Sequence, residues 1–510
     1  MTIFELKKKN IPLLLLLLLP VGFVVGPLVA ELIINILIII FLYNCSQDKN
    51  FYFFKNKIFI FFLFFYLFLM INLLFSNFLK ESALNIFSYI RFIIFPFAIC
   101  DILEKNKKNL KFVFLILSIT IFIVVLDGYY QFIFDKNFLG YQKYRIDRIS
   151  GFFKEDLILG SFLSRLLPLF IGLILFFKED LKLTSLNLVI FLFAFILILL
   201  TGERASFLTA SLALLIIIIQ IKSYFHLRLI LSFVTIFIVS FIMINNPIVS
   251  DRYFNQLKNH ILGNPNTAEK EILPNYMPMI ETSFKMFKEN KLLGMGPKSY
   301  RYLCDDKRFI TYFDNGTVIV DNTVLKINRS WKELRDLYLK KFYVSEGDII
   351  KKNDKIFSYE FNDEKNTYFY LSDKEGRIEK IYKKEKYIGN DVVLDISPQN
   401  SPNTEYLIRN ACNTHPHNFY IQLLGETGFI GFAFIFSLFI YLFYLLIKNF
   451  FFKYFKKKAL FSDSEICILT GFFVVLWPLT TNGNFFNNWI NLISFYPLGF
   501  FLYIFNKKEK

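Results

Sequence analysis

Thr414-His415-Pro416-His417-Asn418-Phe419-Tyr420-Ile421-Gln422-Leu423-Leu424-Gly425-Glu426-Thr427-Gly428 is the stretch around which the chain is organised. Two histidines stand directly before a long apolar run that begins near Phe429, and a long polar segment precedes them. The chain has four histidines in all, so half of them stand at this one junction of water and membrane. Histidine is the side chain most easily poised to move a proton near neutral pH.

Working outward, the chain is apolar far beyond this junction. It is 55% hydrophobic over 510 residues, and its mean hydropathy is +0.44. Soluble domains contain less apolar residue, so the excess points to a membrane protein. Apolar runs suited to spanning helices fall near 11–25, 27–43, 58–75, 83–100, 112–134, 161–177, 183–200, 206–221, 229–245, 417–447, 464–480 and 487–506. The expected fold class is therefore an α-helical polytopic membrane protein with about twelve transmembrane helices. Several runs fall short of the ~20 residues that a full crossing needs. Lys7-Lys8-Lys9 before the first run has the look of a signal peptide, but no convincing cleavage site follows. The run is read as a retained span.

The net charge of +16 suits a nucleic-acid partner at first sight. Most of the excess lysine, however, lies in short loops that alternate along the chain, at 49–57, 105–111, 222–228, 448–458 and 507–510. That is the positive-inside pattern, so this side is expected to be the cytoplasm, with both termini on it, and no nucleic-acid partner is expected. The opposite, periplasmic side receives 76–82, 135–160, 201–205, the long segment 246–416 and 481–486. Arg145, Arg148 and Lys154 run against the charge bias of that side, which makes sense if the ligand is anionic.

Thr201-Gly202-Glu203-Arg204 forms a turn between two apolar runs. Charges this close to a bilayer are costly unless paired or wet, so the turn is a candidate site. An arginine suits an oxyanion because its planar fork binds two oxygens at once. Further along, 278–304 reads as an amphipathic helix stopped at Gly294-Met295-Gly296-Pro297 and followed by Lys298, Tyr300, Arg301 and Cys304. Residues 314–397 then switch to β-type alternation.

The pattern His417-Asn418-x-Tyr420-x-Gln422-x-x-x-Glu426-x-Gly428 resembles the signature of the O-antigen ligase and O-antigen polymerase superfamily. The resemblance covers about 110–310 and 405–500 and includes a Gly-x-Arg turn matched at Arg204 and the Gly-x-Gly-Pro element. It implies a membrane-embedded architecture like that of the C-type glycosyltransferases. It also implies an enzyme that moves a glycan from an undecaprenyl diphosphate carrier to an acceptor hydroxyl of lipid A–core, at the periplasmic face of the inner membrane. His417 is then the general base, with His415 behind it, and Arg204 grips the diphosphate. Many members place a second arginine at the start of the preceding helix. Here Asn275-Tyr276 stand there, and Arg252, Lys298 and Arg301 are the candidate substitutes.

Asn418 and Gln422, four apart, share a helix face and with Tyr420 are expected to hold sugar hydroxyls. Nine helical residues turn through about 900°, so Glu426 faces away from His417 and is given a structural role with Gly428. No cofactor and no metal site are expected: the chain shows no Walker motif and no dinucleotide fingerprint, and His415-x-His417 alone is too few ligands for a metal.

Val344-Ser345-Glu346-Gly347-Asp348 through Asp354 resembles the turn of a biotinyl/lipoyl-type barrel-sandwich domain, with Ser372–Ile378 as its later turn and Tyr387–Asp391 as a repeat. Lys365 falls where such domains carry their prosthetic group, but attachment enzymes are cytoplasmic, so an unmodified insertion is expected. Cys304 and Cys412 flank it and are expected to pair in an oxidising compartment. The expected domains are 1–245 and 417–510 as membrane bundles, 246–313 as a helical periplasmic loop, 314–398 as the β-insertion and 399–416 as a return segment. The signature leaves polymerase and protein-glycosylation activities open. A transporter of lipid-linked sugar, or a scaffold built on the β-insertion, are rivals of another class. The expected partners are the lipid-linked donor, the lipid A–core or glycan acceptor, and the lipids of the inner membrane.

Overall fold

The computed structural model describes residues 3–509 except 77, 146, 178–180, 263–275, 315–324, 327–336, 362–366, 373–374, 385, 388–391, 398–407 and 411. Asn275, Lys365 and the Gly389-Asn390-Asp391 turn lie outside the described residues. The chain divides into two compact units, one of Met1–Leu257, Tyr276–Thr311 and Asn410–Lys510, the other of Lys258–Asn275 and Tyr312–Arg409.

The first unit is helical. In chain order it runs α1 (Ile3–Val25), α2 (Pro27–Gln47), α3 (Lys57–Leu74), α4 (Leu79–Phe87), α5 (Ile90–Lys105), α6 (Leu110–Phe134), α7 (Leu159–Phe176), α8 (Leu181–Leu200), α9 (Arg204–Gln220) and α10 (Phe225–Asn245). Short α11 (Pro247–Tyr253) follows, and α12 (Asn255–Leu262) leads out of the unit. The chain returns with α13 (Met277–Glu289) and α14 (Tyr300–Leu303), then α15 (Phe419–Phe455), α16 (Asp463–Val475) and α17 (Asn488–Glu509).

Every apolar run expected to span becomes helix, but not every one is long enough to cross. Among the described residues eight helical stretches have the length and apolarity for a crossing, including Leu159–Phe176 and Phe419–Phe455. Ile11–Val25, Thr184–Leu200 and Arg204–Gln220 are apolar but shorter. The run expected over 464–480 is helical only to Val475, because Pro478 follows and disfavours helix in the residue before it. So the chain is a polytopic, mainly helical membrane protein, with eight candidate spans and three shorter apolar helices among the described residues. On α10, Phe233, Ile236, Phe237, Phe241 and Ile244 are all exposed, a surface suited to lipid and to nothing aqueous.

The buried centre is made where α17 packs on α5 and α16 packs on α7 and α9. Side chains satisfy the starts of α3, α11, α15 and α16, where backbone N–H groups lack partners within the helix. Ser462 and Glu465 form a capping box at the start of α16. Asn418 caps α15 by accepting from the Tyr420 and Ile421 N–H groups. Helix α15 has 37 residues, about 55 Å at 1.5 Å each, and it kinks at Gly428.

The second unit is a pair of antiparallel four-stranded sheets. Its strands are β1 (Tyr312–Asp314), β2 (Leu325–Lys326), β3 (Leu337–Phe342), β4 (Ile349–Ile350), β5 (Lys355–Phe361), β6 (Tyr368–Leu371), β7 (Gly376–Ile381), β8 (Lys386–Tyr387), β9 (Val392–Ser397) and β10 (Ile408–Asn410). One sheet has the order β2-β9-β7-β4 and the other β6-β5-β3-β8, while β1 pairs with β10. Ile350, Ile356, Phe357, Ile378, Val393, Leu394 and Ile396 form the core. The turn over 344–354 is built on aspartates. Asp348 Oδ2 accepts the Ser345 N–H at 2.8 Å and Asp354 Oδ2 accepts the Lys351 N–H at 2.7 Å. Gly347 holds φ 95° there, a conformation that favours glycine.

Candidate active-site cleft

The Thr201–Arg204 turn is fixed from below by its own glutamate. Glu203 is buried, and its carboxylate accepts the N–H groups of Gly160 at 2.7 Å and Ser161 at 2.9 Å, and the Ser206 hydroxyl at 2.9 Å. Those two N–H groups belong to the first turn of α7 and have no partner within that helix. Glu203 therefore caps α7 from a distance. Burial raises its pKa, opposed by Arg148 and by these hydrogen bonds.

Two arginines hold the same turn from the other side. Arg148 Nε donates to the Thr201 carbonyl at 3.2 Å, and Arg252 Nε donates to the Gly202 carbonyl at 3.1 Å. Gly202 has φ 68°, and a Cβ there would stand 2.4 Å from the Asp147 carbonyl, so glycine is required. Asp147 pairs with Arg252 at 3.4 Å and with Arg145 at 3.0 Å. Arg252 is buried, and burial together with the neighbouring Arg148 and Arg204 pulls its pKa down to about 10. Three guanidinium groups thus crowd one turn, an arrangement an anion would relieve.

A second anchor is formed by the Gly-x-Gly-Pro element and the kink of α15. Glu426 is fully buried and accepts the Lys298 N–H at 3.0 Å, the Tyr300 N–H at 3.1 Å and the Gln422 amide at 3.1 Å. The Met295 and Gly296 N–H groups donate to the carbonyls of Gly425 and Glu426. At Gly428, φ 64°, a Cβ would lie 2.3 Å from the Leu292 carbonyl. Glu426 and Gly428 are thus the clasp between α15 and the segment that carries Arg301.

The histidines sit between the two anchors. The rings of His415 and His417 lie 4.3 Å apart, and the Tyr276 ring is 5.8 Å from His417. The Asn482 N–H donates to the His417 carbonyl at 2.8 Å, and the Asn484 amide to the Thr414 carbonyl at 3.4 Å. His417 holds φ 56°, a left-handed conformation uncommon outside glycine, which these bonds sustain. Asn413 Nδ2 lies 3.1 Å from His417 Nε2, and Thr414 Oγ1 lies 2.9 Å from His415 Nδ1. His415 Nε2 is buried without a hydrogen-bond partner among the described residues. Burial, and then the neighbouring His417, push the His415 pKa down to about 3. Burial also lowers that of His417.

All of this surrounds one cleft of about 870 Å³. Arg148, Lys154, Arg165, Arg204, Arg252 and Arg301 line it, with only Asp156 and Glu203 as acids, and His415, His417 and Tyr276 face it too. Of the residues singled out from sequence, His417, Arg204, Arg252 and Arg301 are brought together here, with His415 beside them. Lys298 is not at the cleft wall. Its ammonium is drawn down to about 8 by burial and by Arg301.

Asn418, Tyr420 and Gln422 are also elsewhere. Asn418 caps α15 and donates to the Pro478 carbonyl at 2.9 Å, and the Tyr420 hydroxyl donates to the Leu476 carbonyl at 2.6 Å. Gln422 is fully buried, donating to Glu426 and Asn484 at 3.1 Å and accepting the Phe485 N–H at 2.9 Å. Their polar groups lock α15 to the 476–485 loop instead of lining the cleft. Residues missed from sequence include Arg165, Asn482 and Asn484. A lone arginine inside the apolar run 161–177 was the available signal for the first. The asparagines carried none.

Cys304 and Cys412 form a disulfide, 108 residues apart in sequence, which ties the segment carrying Arg301 to the one carrying the histidines.

No curated protein and no solved structure matches the chain. A family model described as O-antigen ligase matches residues 189–327. The match takes in Arg204, Arg252, Lys298 and Arg301 and ends before the histidine motif. Residues 189–327 are thus similar to the O-antigen ligase family, a similarity that supports placing this membrane protein in the O-antigen ligase and polymerase superfamily.

Proposed function

We propose that the chain is a nucleotide-independent glycan transferase of the inner membrane. It takes a glycan from an undecaprenyl diphosphate carrier and passes it to an acceptor hydroxyl on lipid A–core, at the periplasmic face. The observation that carries this reading is the shared cleft, where two histidines that favour the neutral form stand among six cations.

The chemistry needs few groups. The acceptor oxygen attacks the anomeric carbon as His417 takes its proton, and the bond from that carbon to the phosphate oxygen breaks. The electron pair leaves with the diphosphate, whose charge Arg204, Arg148 and Arg252 stabilise where it develops. Arg301 approaches from the opposite anchor. The products are the new glycosidic bond and the free carrier diphosphate, and the proton leaves the imidazole for solvent. Because the carrier is already a good leaving group, no nucleotide is consumed. The lysine-rich loops support a cytoplasmic location for both termini, opposite the cleft.

The test is the purified chain with a lipid-linked glycan and either lipid A–core or a second lipid-linked repeat as acceptor, with products resolved by mass. Glycan on lipid A–core is the expected result. Elongated lipid-linked glycan would assign a polymerase, and an unconsumed donor with both acceptors would overturn the reading.

A further inference from the structure

Arg165 lies on α7 inside a stretch long and apolar enough to cross a membrane. Ionised side chains are rare at such depth and mark a ligand path or a buried partner. The buried acid within electrostatic reach of Arg165 is Glu203, but the two form no ion pair among the described residues. Its guanidinium donates to the carbonyl and hydroxyl of Ser161, one turn earlier on the same helix. Its Nε is buried with no hydrogen-bond partner, and among the described residues no carboxylate forms an ion pair with it. Glu203, the acid at this corner of the cleft, is engaged by Gly160, Ser161 and Ser206. So Arg165 faces the cleft with Glu203 in electrostatic range but in no ion pair among the described residues, which leaves its Nε for an anion from a ligand.

The surroundings of Arg165 restrict what that anion is. Beyond the cleft wall Arg165 also lines a narrow gap against Phe472, Val475 and Ser494. Those three residues line a second cavity, of about 590 Å³, whose other walls are mainly leucine, isoleucine and phenylalanine. Val475 and Ile490 line both this cavity and the cleft. The guanidinium therefore stands where a cationic cleft meets an apolar space between α15, α16 and α17. A molecule that fits both is an amphiphile with its anionic group at Arg165 and its hydrocarbon beyond Val475.

We propose that Arg165 is a phosphate-binding residue for the lipid-linked phosphate of the donor, with the prenyl chain running past Val475 and Ile490. The Arg148, Arg204 and Arg252 group then faces the phosphate that bears the sugar. This assignment rests on the reading of the cleft as a carrier-lipid site. A guanidinium suits a phosphate that carries an ester, because its fork engages the two remaining oxygens together.

The test is binding, not turnover. The full chain in detergent is titrated with undecaprenyl diphosphate and, separately, with inorganic pyrophosphate, by native mass spectrometry. Arg165→Gln is expected to weaken undecaprenyl diphosphate roughly tenfold to a hundredfold, as loss of a charged hydrogen bond does. Arg165→Lys should lose less. Ile490→Trp, which fills the junction, should weaken undecaprenyl diphosphate and leave pyrophosphate unchanged. Undecaprenyl diphosphate binding by folded Arg165→Gln within twofold of the parent overturns the role of Arg165 alone. Should that variant not fold, Arg165→Lys decides: unchanged binding overturns the proposal and weaker binding supports it. A parent chain that binds no undecaprenyl diphosphate overturns the carrier-lipid reading itself.

Discussion

The Glu203 carboxylate accepts the backbone N–H of Gly160 at 2.7 Å, joining the turn before α9 to the first turn of α7. A glutamate next to an arginine invites the reading of a surface ion pair. Here the acid faces inward as a helix cap, and Arg204, the next residue, faces the cleft. The two charges of the Gly-Glu-Arg turn thus have separate tasks. One holds the scaffold, and the other is presented to the ligand.

That division predicts different phenotypes for neighbouring substitutions. Glu203→Ala removes the acceptor for three donors and should destabilise the fold by about 3 kcal/mol. The expected readout is a lowered melting temperature in detergent, with transfer lost in proportion to unfolded protein. Glu203→Gln keeps an acceptor oxygen and should fall between. A Glu203→Ala protein that melts like the parent would refute the capping role.

Arg204→Ala should leave the melting temperature nearly unchanged but reduce transfer by at least about a hundredfold, the usual cost of losing a group that stabilises developing charge. Arg204→Lys should recover only part, because an ammonium cannot fork onto two phosphate oxygens. Full activity in the lysine variant would mean that only a positive charge is needed.

His417→Ala should cut turnover by about 10²–10⁴ while the carrier lipid still binds, since the arginines do the holding. His415→Ala should be milder. Single-turnover rates and lipid binding measured side by side separate the two effects. Loss of binding with chemistry intact would give His417 a positioning role instead.

The pH profile follows from the same site. A base must be neutral to accept a proton, and burial lowers the His417 pKa from its ordinary 6.5. Activity should hold as pH falls through 6.5 and decline only below it, as the imidazole becomes charged. An acid limb in kcat/KM centred at or above 6.5, for a substrate that does not itself titrate there, would be contrary to this assignment.

The Cys304–Cys412 bridge brackets the Tyr312–Arg409 part of the β-rich unit in sequence and joins two cleft-bearing segments. Peptide mapping without reductant should find the two cysteines linked in protein taken from membranes. Cys304→Ser with Cys412→Ser should lower activity more than it disturbs the membrane helices, because Arg301 and His415 lie near the two ends of the bridge. Two free thiols in that material would mean the bridge does not form in the cell.

Much of this molecule is written locally. Runs of leucine, isoleucine and phenylalanine set the helices one by one, because the bilayer rewards apolarity and internal hydrogen bonding within each segment. The aspartates and glycine over 344–354 likewise specify their turn within a few residues. His417 and Arg204 were legible as candidates because charge and imidazole stand out at a membrane edge. The face shared by Asn418 and Gln422 was also legible, but what covers that face was not. It is the 476–485 loop, more than fifty positions away in the chain, that takes up their hydrogen bonds. Arg165 is the opposite case: a single charge in an apolar run carries no sign of what it faces. Only the packing of α7 against α16 and the placing of α17 put that charge between a cationic cleft and an apolar cavity. Spacing along one helix fixes directions in space, whereas a partner at the end of that direction exists only once distant segments have packed.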